Sequence, residues 1–265
     1  MKILSLNTFA ATFFETLMAF IKEQQGSTDI FCFQEILTTT QAELTTIPSG
    51  KRANLLMELS KLLTGFQVFY APAQDGIEDN ADIIAGVQLG LTIFVRKTLT
   101  VSDSGNFFIY KTLNSYAHPD PSTWPYNAAF VGLTVNDKPL TICCLHGVSE
   151  PGHKLDTSDR LAQSQTVIDF LNARPGNKII MGDFNLLPKT ESIRMFEKAG
   201  YRNLISEFKI STTRGTLHKQ FHPEYAGNFQ EYADYTFVTP GIIVTSFAVP
   251  DVPISDHLPM ILEIE

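Results

Sequence analysis

Lys178-Ile179-Ile180-Met181-Gly182-Asp183-Phe184-Asn185 begins as a short strand over residues 178–181 and ends on a glycine, an acid and an amide. Asp183 and Asn185 lie two apart, so an extended segment turns both to the same side. The same transition from apolar strand to polar group recurs along the chain. Asn7 ends Ile3-Leu4-Ser5-Leu6, Gln34 and Glu35 end Ile30-Phe31-Cys32-Phe33, and His146 ends the strand over 141–145. Asp234 opens a strand over 234–238, and Asp256-His257 precede the last one. Any one of these is a common turn former. As a set they are what an α/β protein presents at its strand ends, where loops offer side chains to a ligand.

Working outward, apolar runs and alternation predict strands over 2–7, 29–34, 66–70, 89–97, 128–135, 140–145, 242–249 and 259–264 as well. Apolar stripes at three- and four-residue spacing predict helices over 13–21, 55–63 and 158–173. A fourth helix is expected from an N-cap at Thr190 to a C-cap at Gly200. Asn136-Asp137-Lys138-Pro139 reads as a hairpin turn. No repeat, low-complexity tract or linker divides the 265 residues, so one α/β domain over 1–265 is expected.

Composition narrows the function classes. At 44% hydrophobic residues the chain can bury a sizeable core. Its 20 basic and 28 acidic side chains leave −8, which disfavours coating duplex DNA, a task that needs a basic face. Cys32, Cys143 and Cys144 sit in apolar strands without metal-ligand spacing, as free thiols of a reducing compartment would. There is no signal-peptide pattern and no run near the ~20 apolar residues of a membrane span. A cytoplasmic monomer is the expectation.

Three connections are longer than a compact domain requires, and such loops often carry function. Residues 71–90 hold Asp75, Glu78, Asp79 and Asp82 with no Lys or Arg. Residues 102–127 are ring-rich, with Phe107, Phe108, Tyr110, Tyr116, Trp124 and Tyr126. Residues 208–232 hold Lys209, Arg214, His218, Lys219 and His222.

The carboxylates at the strand ends suit a hard cation. Mg²⁺ takes near-octahedral oxygen ligands, one or two of them protein carboxylates, and leaves the other positions to water or substrate phosphate. Asp256-His257 puts an acid and an imidazole on one turn, and an acid such as Asp234 could accept the ring's other N–H and fix its tautomer.

With these residues in place, the chain resembles the endonuclease/exonuclease/phosphatase superfamily of metal-dependent, DNase-like phosphoesterases. The resemblance runs in order along nearly the whole chain. It rests on Leu4-Ser5-Leu6-Asn7, Asp29-Ile30-Phe31-Cys32-Phe33-Gln34-Glu35, the glycine-led Leu89-Gly90-Leu91-Thr92-Ile93-Phe94-Val95-Arg96-Lys97 and Leu145-His146. Gly182-Asp183-Phe184-Asn185, Ala233-Asp234-Tyr235 and Ser255-Asp256-His257-Leu258-Pro259 complete it. The implied fold is a four-layer α/β/β/α sandwich, two packed mixed β-sheets flanked by helices, with the site at one edge.

The resemblance further implies that Glu35 ligates a catalytic Mg²⁺ or Mn²⁺, with Asn7 and Asp256 as direct or water-mediated ligands. Asp234 and His257 match the family's carboxylate–imidazole pair. Asp183 and Asn185 would orient the attacking water and bind a phosphoryl oxygen, and His146 would contact another. Either Asp183 or His257 would take the water's proton. Many members carry an Arg before the histidine strand, whereas this chain has Pro125-Tyr126-Asn127-Ala128-Ala129, with Asn127 nearest that slot. Arg214 is the candidate replacement phosphate clamp, and Trp124 in the ring-rich loop a candidate for stacking on substrate. The substrate classes are a phosphorylated small molecule, a nucleotide or a short single-stranded nucleic acid. A nuclease or end-processing phosphodiesterase is the alternative, and a non-catalytic binding module a more distant one.

Overall fold

The computed structural model describes residues 1–221 and 230–265. The first strand, β1 (Lys2–Asn7), shows how alternation builds the layers. Ile3 enters the large core between the sheets, whereas Leu4 and Leu6 face outward into a second core with the first two helices. Those helices are α1 (Phe14–Gln24), which buries Leu17 and Ile21, and α2 (Leu55–Leu62), which buries Leu55 and Leu59.

Chain order continues with β2 (Ile30–Thr39), β3 (Phe66–Asp79), β4 (Asp82–Arg96), β5 (Val101–Tyr110), β6 (Tyr126–Val135) and β7 (Lys138–His146). Then come α3 (Ser158–Asn172), β8 (Asn177–Asp183), α4 (Glu191–Lys198), β9 (Arg202–Asn203), α5 (Leu204–Glu207) and α6 (Thr216–Phe221). The strands β10 (Asp234–Val238), β11 (Val244–Ala248) and β12 (Met260–Ile264) finish the chain.

The strands form two mixed sheets of six, ordered β11-β12-β1-β2-β4-β3 and β5-β6-β7-β8-β10-β9. Each sheet has one parallel pair at its centre, β1 with β2 and β7 with β8, and antiparallel neighbours around it. The inner faces meet through residues such as Ile30, Cys32, Ile93, Ile142 and Ile180. On the outside of the second sheet, Phe170 of α3 stacks on Phe107 and Phe196 of α4 stacks on Phe237. The architecture is the four-layer sandwich that the resemblance implies, and all three cysteines are free and buried inside it.

Several sequence expectations change. The acidic stretch 71–90 is a β-hairpin: β3 and β4 pair through to Asp79 and Asp82, around left-handed Asn80 and Ala81. The first part of the ring-rich stretch is β5, whose Phe107 serves as packing. Glu35 does not end its strand, because β2 continues four residues further. Thr190 does not cap α4 with its side chain; Asp156 does, accepting from the amides of Glu191 and Ser192 at 2.7 and 2.9 Å. The short β9, α5 and α6 carry too few residues for a readable period. His222 lies outside the described residues.

Candidate active site

The carboxyl ends of both parallel pairs open on the same edge of the sandwich. At the centre is Asp183, the last residue of β8, paired in register with His146 of β7 on one side and Asp234 of β10 on the other. Asn7 shares the inner face of β1 with Ile3, so alternation aims it at the opposite sheet. Its amide donates to Asp183 Oδ2 at 3.1 Å and to Glu35 Oε1 at 3.0 Å, while its carbonyl accepts the Phe9 N–H at 3.0 Å.

Glu35 reaches this point by a break in alternation. Between Phe33, opposite Thr92, and Ile36, opposite Gly90, β2 carries one residue more than β4. The bulge puts Glu35 in a left-handed conformation at φ +57°, and it re-aims the carboxylate out of the helix-facing layer. The side chain is 25% exposed and faces the cleft.

The imidazole of His257 completes the cluster. Its Nδ1 lies 2.8 and 3.0 Å from the two oxygens of Asp234, and an ionised acid only accepts, so Nδ1 carries the proton. Nε2 is then turned to Asp183 Oδ2 at 3.5 Å. His146 Nε2 stands 3.7 Å from the same oxygen and 3.9 Å from Glu35, with the ring edge-on to Tyr126.

The electrostatics follow from this crowding. Burial pushes the Asp183 carboxyl up, but the cationic forms of His257, Lys154 and His146, together with Arg214, outweigh it and hold it well below the usual carboxylate range. Burial and Arg214 push the His257 imidazolium down, yet Asp234, Asp256 and Asp183 surround it and raise it overall. Burial dominates at Asp234 and raises it.

Of the other sequence candidates, Asn185 is buried with its backbone N–H on Asp183 Oδ1 at 2.8 Å. Its Nδ2 donates to Gly147 O at 2.8 Å, and its Oδ1 accepts from Lys154. Asp256 pairs with Arg214 at 2.9 Å and lies 3.3 Å from His218 Nδ1, so its charge is already shared with a guanidinium. Arg214 thus comes into the site, held by a backbone bridge to His257. Trp124 lines the cleft with Tyr116 edge-on at 4.3 Å. Asn127 does not reach it: its amide donates to the carbonyls of Ala71 and Pro72 at 3.2 and 3.1 Å, tying β6 to β3. Sequence reasoning missed Lys154 altogether, and saw His218 only as one member of a cationic run. For Lys154 the available signal was its position just past a Pro151-Gly152 turn that follows the histidine strand.

The cleft is about 560 Å³, and Glu35, Asp183 and Asp256 are among the residues that line it. Converging carboxylates fit a hard divalent cation, whose charge would relieve their repulsion. Among the described residues, Asp183, Asp234 and His257 also have ligand atoms within 4.8 Å of one another. The Nδ1 of that trio is spent on Asp234, however, which suits the trio to proton handling.

A family model described as the Endonuclease/Exonuclease/phosphatase family matches residues 5–257. No curated protein matches the sequence significantly. Among solved structures, an endonuclease/exonuclease/phosphatase family protein from Leptotrichia buccalis superposes with TM-score 0.73 at 14% identity, over 100% of this chain and 99% of that one. The Bacteroides thetaiotaomicron mannosyl-6-phosphatase gives 0.70 at 16%, over 100% and 99%. The human Nocturnin catalytic domain gives 0.67 at 16%, over 100% and 93%. At these identities the likeness is one of fold.

Proposed function

The chain belongs to the endonuclease/exonuclease/phosphatase family, and from that premise we propose that it is a divalent-metal-dependent hydrolase of small phosphate esters. The observation that carries the reading is the imidazole of His257, fixed by Asp234 on one nitrogen and turned by the other toward Asp183 and the cleft. Glu35 and Asp256, with Asn7 bracing Glu35, would hold Mg²⁺ or Mn²⁺. When bound, that ion neutralises charge developing on the phosphoryl oxygens.

The chain's own groups do the rest. Water attacks phosphorus opposite the leaving oxygen; its O–P bond forms as the ester P–O bond breaks. The water's proton goes to Nε2 of His257, the nitrogen left free by the Nδ1–Asp234 hydrogen bond and turned to the cleft, because an acid held as low as Asp183 is a poor base. Asp183 orients the water by accepting a hydrogen bond. His146 and the second Nδ2–H of Asn185 donate to phosphoryl oxygens, pre-aimed and needing no reorganisation. Arg214 adds positive charge, and Trp124 with Tyr116 offers an apolar wall to the leaving group.

A small substrate is favoured over duplex DNA by the acidic hairpin. Glu78 of β3 lines the cleft, so acid stands where a phosphodiester backbone would need cations. The test is release of nitrophenol or phosphate from p-nitrophenyl phosphate, its bis-ester and mannose 6-phosphate, beside trimming of labelled single strands and nicking of plasmid. Each is run with Mg²⁺, Mn²⁺ and EDTA. Metal-dependent turnover of a small ester is expected; plasmid nicking without small-ester turnover favours the nuclease, and no turnover of any substrate removes the reading.

A further inference from the structure

Residues 153–156 invert the usual rule of burial. Leu155 is 51% exposed, whereas the neighbouring Lys154 is only 6% exposed. A lysine is almost never buried without a partner for its charge. Among the described residues no carboxylate lies within ion-pair distance of its ammonium, and its hydrogen bond goes to the neutral amide oxygen of Asn185. An ammonium has three donors. Two therefore remain, and the residue lines the cleft beside Asp183 and His257.

The fold commits other buried groups to holding it there. Arg160 in the first turn of α3 is fully buried and serves backbone rather than acid. Its guanidinium donates to the carbonyls of Val148, Ser149, Pro151 and Leu155 at 3.1, 2.8, 2.8 and 2.7 Å, clamping the loop that carries Lys154. Gln230 donates to Gly152 O at 2.6 Å from the far end of the chain. Lys154 itself sits at φ +56°, and its carbonyl accepts the Leu187 N–H at 3.0 Å. A surface lysine needs none of this.

We propose that Lys154 is a phosphoryl-binding residue of this cleft, supplying the cation that the chain lacks at the Asn127 position. The inference rests on the phosphoester reading for its ligand, but not on turnover. The partners of Asn185 support it: lysine only donates and the Gly147 carbonyl only accepts, so the amide orientation is settled. The ammonium and the free Nδ2–H of Asn185 then converge as donors on one anion. Burial and the neighbouring Arg214 pull the Lys154 ammonium down to about 8, against the opposing pull of Asp183 and Asp234.

The experiment titrates inorganic phosphate, without and with Mg²⁺, into the wild-type chain and into Lys154→Met and Lys154→Arg, by calorimetry and by the ¹⁵N shift of the lysine ammonium. The expected loss for Lys154→Met is about ten- to a hundredfold in phosphate affinity, the worth of a charged hydrogen bond, with partial rescue by Lys154→Arg. The Lys154 signal should move on phosphate addition, which a purely structural lysine would not do. Phosphate binding equal in wild type and in a folded Lys154→Met, or absent from the wild type with Mg²⁺, overturns the proposal. Should Lys154→Met not fold, the ¹⁵N shift in the wild type decides alone, and an unmoved signal overturns it. Lys154-dependent phosphate binding in a chain that hydrolyses no ester would remove the hydrolase reading and leave this one standing.

Discussion

At the scale of the residue, the site is a set of charges made tolerable by one another. Asp183 is 1% exposed yet stays ionised because cations stand on several sides of it. Its pH dependence has a definite sign. A carboxyl depressed in the folded state contributes its stability in full above its ordinary value near ~4, and loses it as pH falls toward the depressed value. In the metal-free protein the melting temperature should therefore drop more steeply in the wild type than in Asp183→Asn between about pH 4 and pH 2.5. Parallel curves would show that Asp183 is not held low. His257 runs the other way: its contribution is complete below its ordinary value and fades as pH rises through the raised one. Replacing Asp234 by Asn lets Nδ1 lose its proton to the wrong nitrogen, and by analogy with triad enzymes should cost about 10²–10⁴ in kcat at unchanged fold. Retention of wild-type turnover would remove the carboxylate–imidazole pair from the reaction.

At the scale of the element, loops and strand ends are tied by side chains distant in sequence. Asp156 caps α4 from the loop before α3, through two backbone amides and the Ser192 hydroxyl. Asp156→Ala should lower stability by about 0.5–2 kcal/mol, the usual worth of an N-cap, read from urea unfolding at unchanged slope. An unaltered midpoint would mean the cap is worth nothing here. The pattern of residues predicted this helix well but assigned its cap to Thr190, because capping by a side chain 35 positions away leaves no local trace. Glu35 is the same lesson in a strand. Two-residue alternation sends it to the helix layer, and only the bulge between Phe33 and Ile36 brings it to the cleft.

At the scale of the whole molecule, two sheets with matching pairing patterns set the carboxyl ends of their parallel strands side by side, so Glu35 from one and Asp183 from the other meet at the Asn7 amide. A ligand that binds only the folded state stabilises by mass action, about 2.7 kcal/mol at a hundred times its Kd. Mg²⁺ or Mn²⁺ should accordingly raise the wild-type melting temperature, and Glu35→Gln should abolish most of that rise. A rise of the same size in Glu35→Gln would place the cation elsewhere.

The sequence by itself located most of the elements and marked the candidate residues of the site. Apolar runs and stripes located most of the strands and the four longer helices, and the family resemblance implied their four layers. Polar residues interrupting apolar runs marked Asn7, Glu35, His146, Asp183, Asp234 and His257 without any structure. Those signals are local, carried by residues within a turn or a strand of each other. Tertiary structure alone decided that 71–90 is a hairpin at the cleft, that Asn127 serves backbone, and that Lys154 is inside while Leu155 is out. The physical reason is that burying a charge or bulging a strand depends on partners supplied from far along the chain. Arg160 and Gln230 hold the Lys154 loop, and β4 sets the register of Glu35.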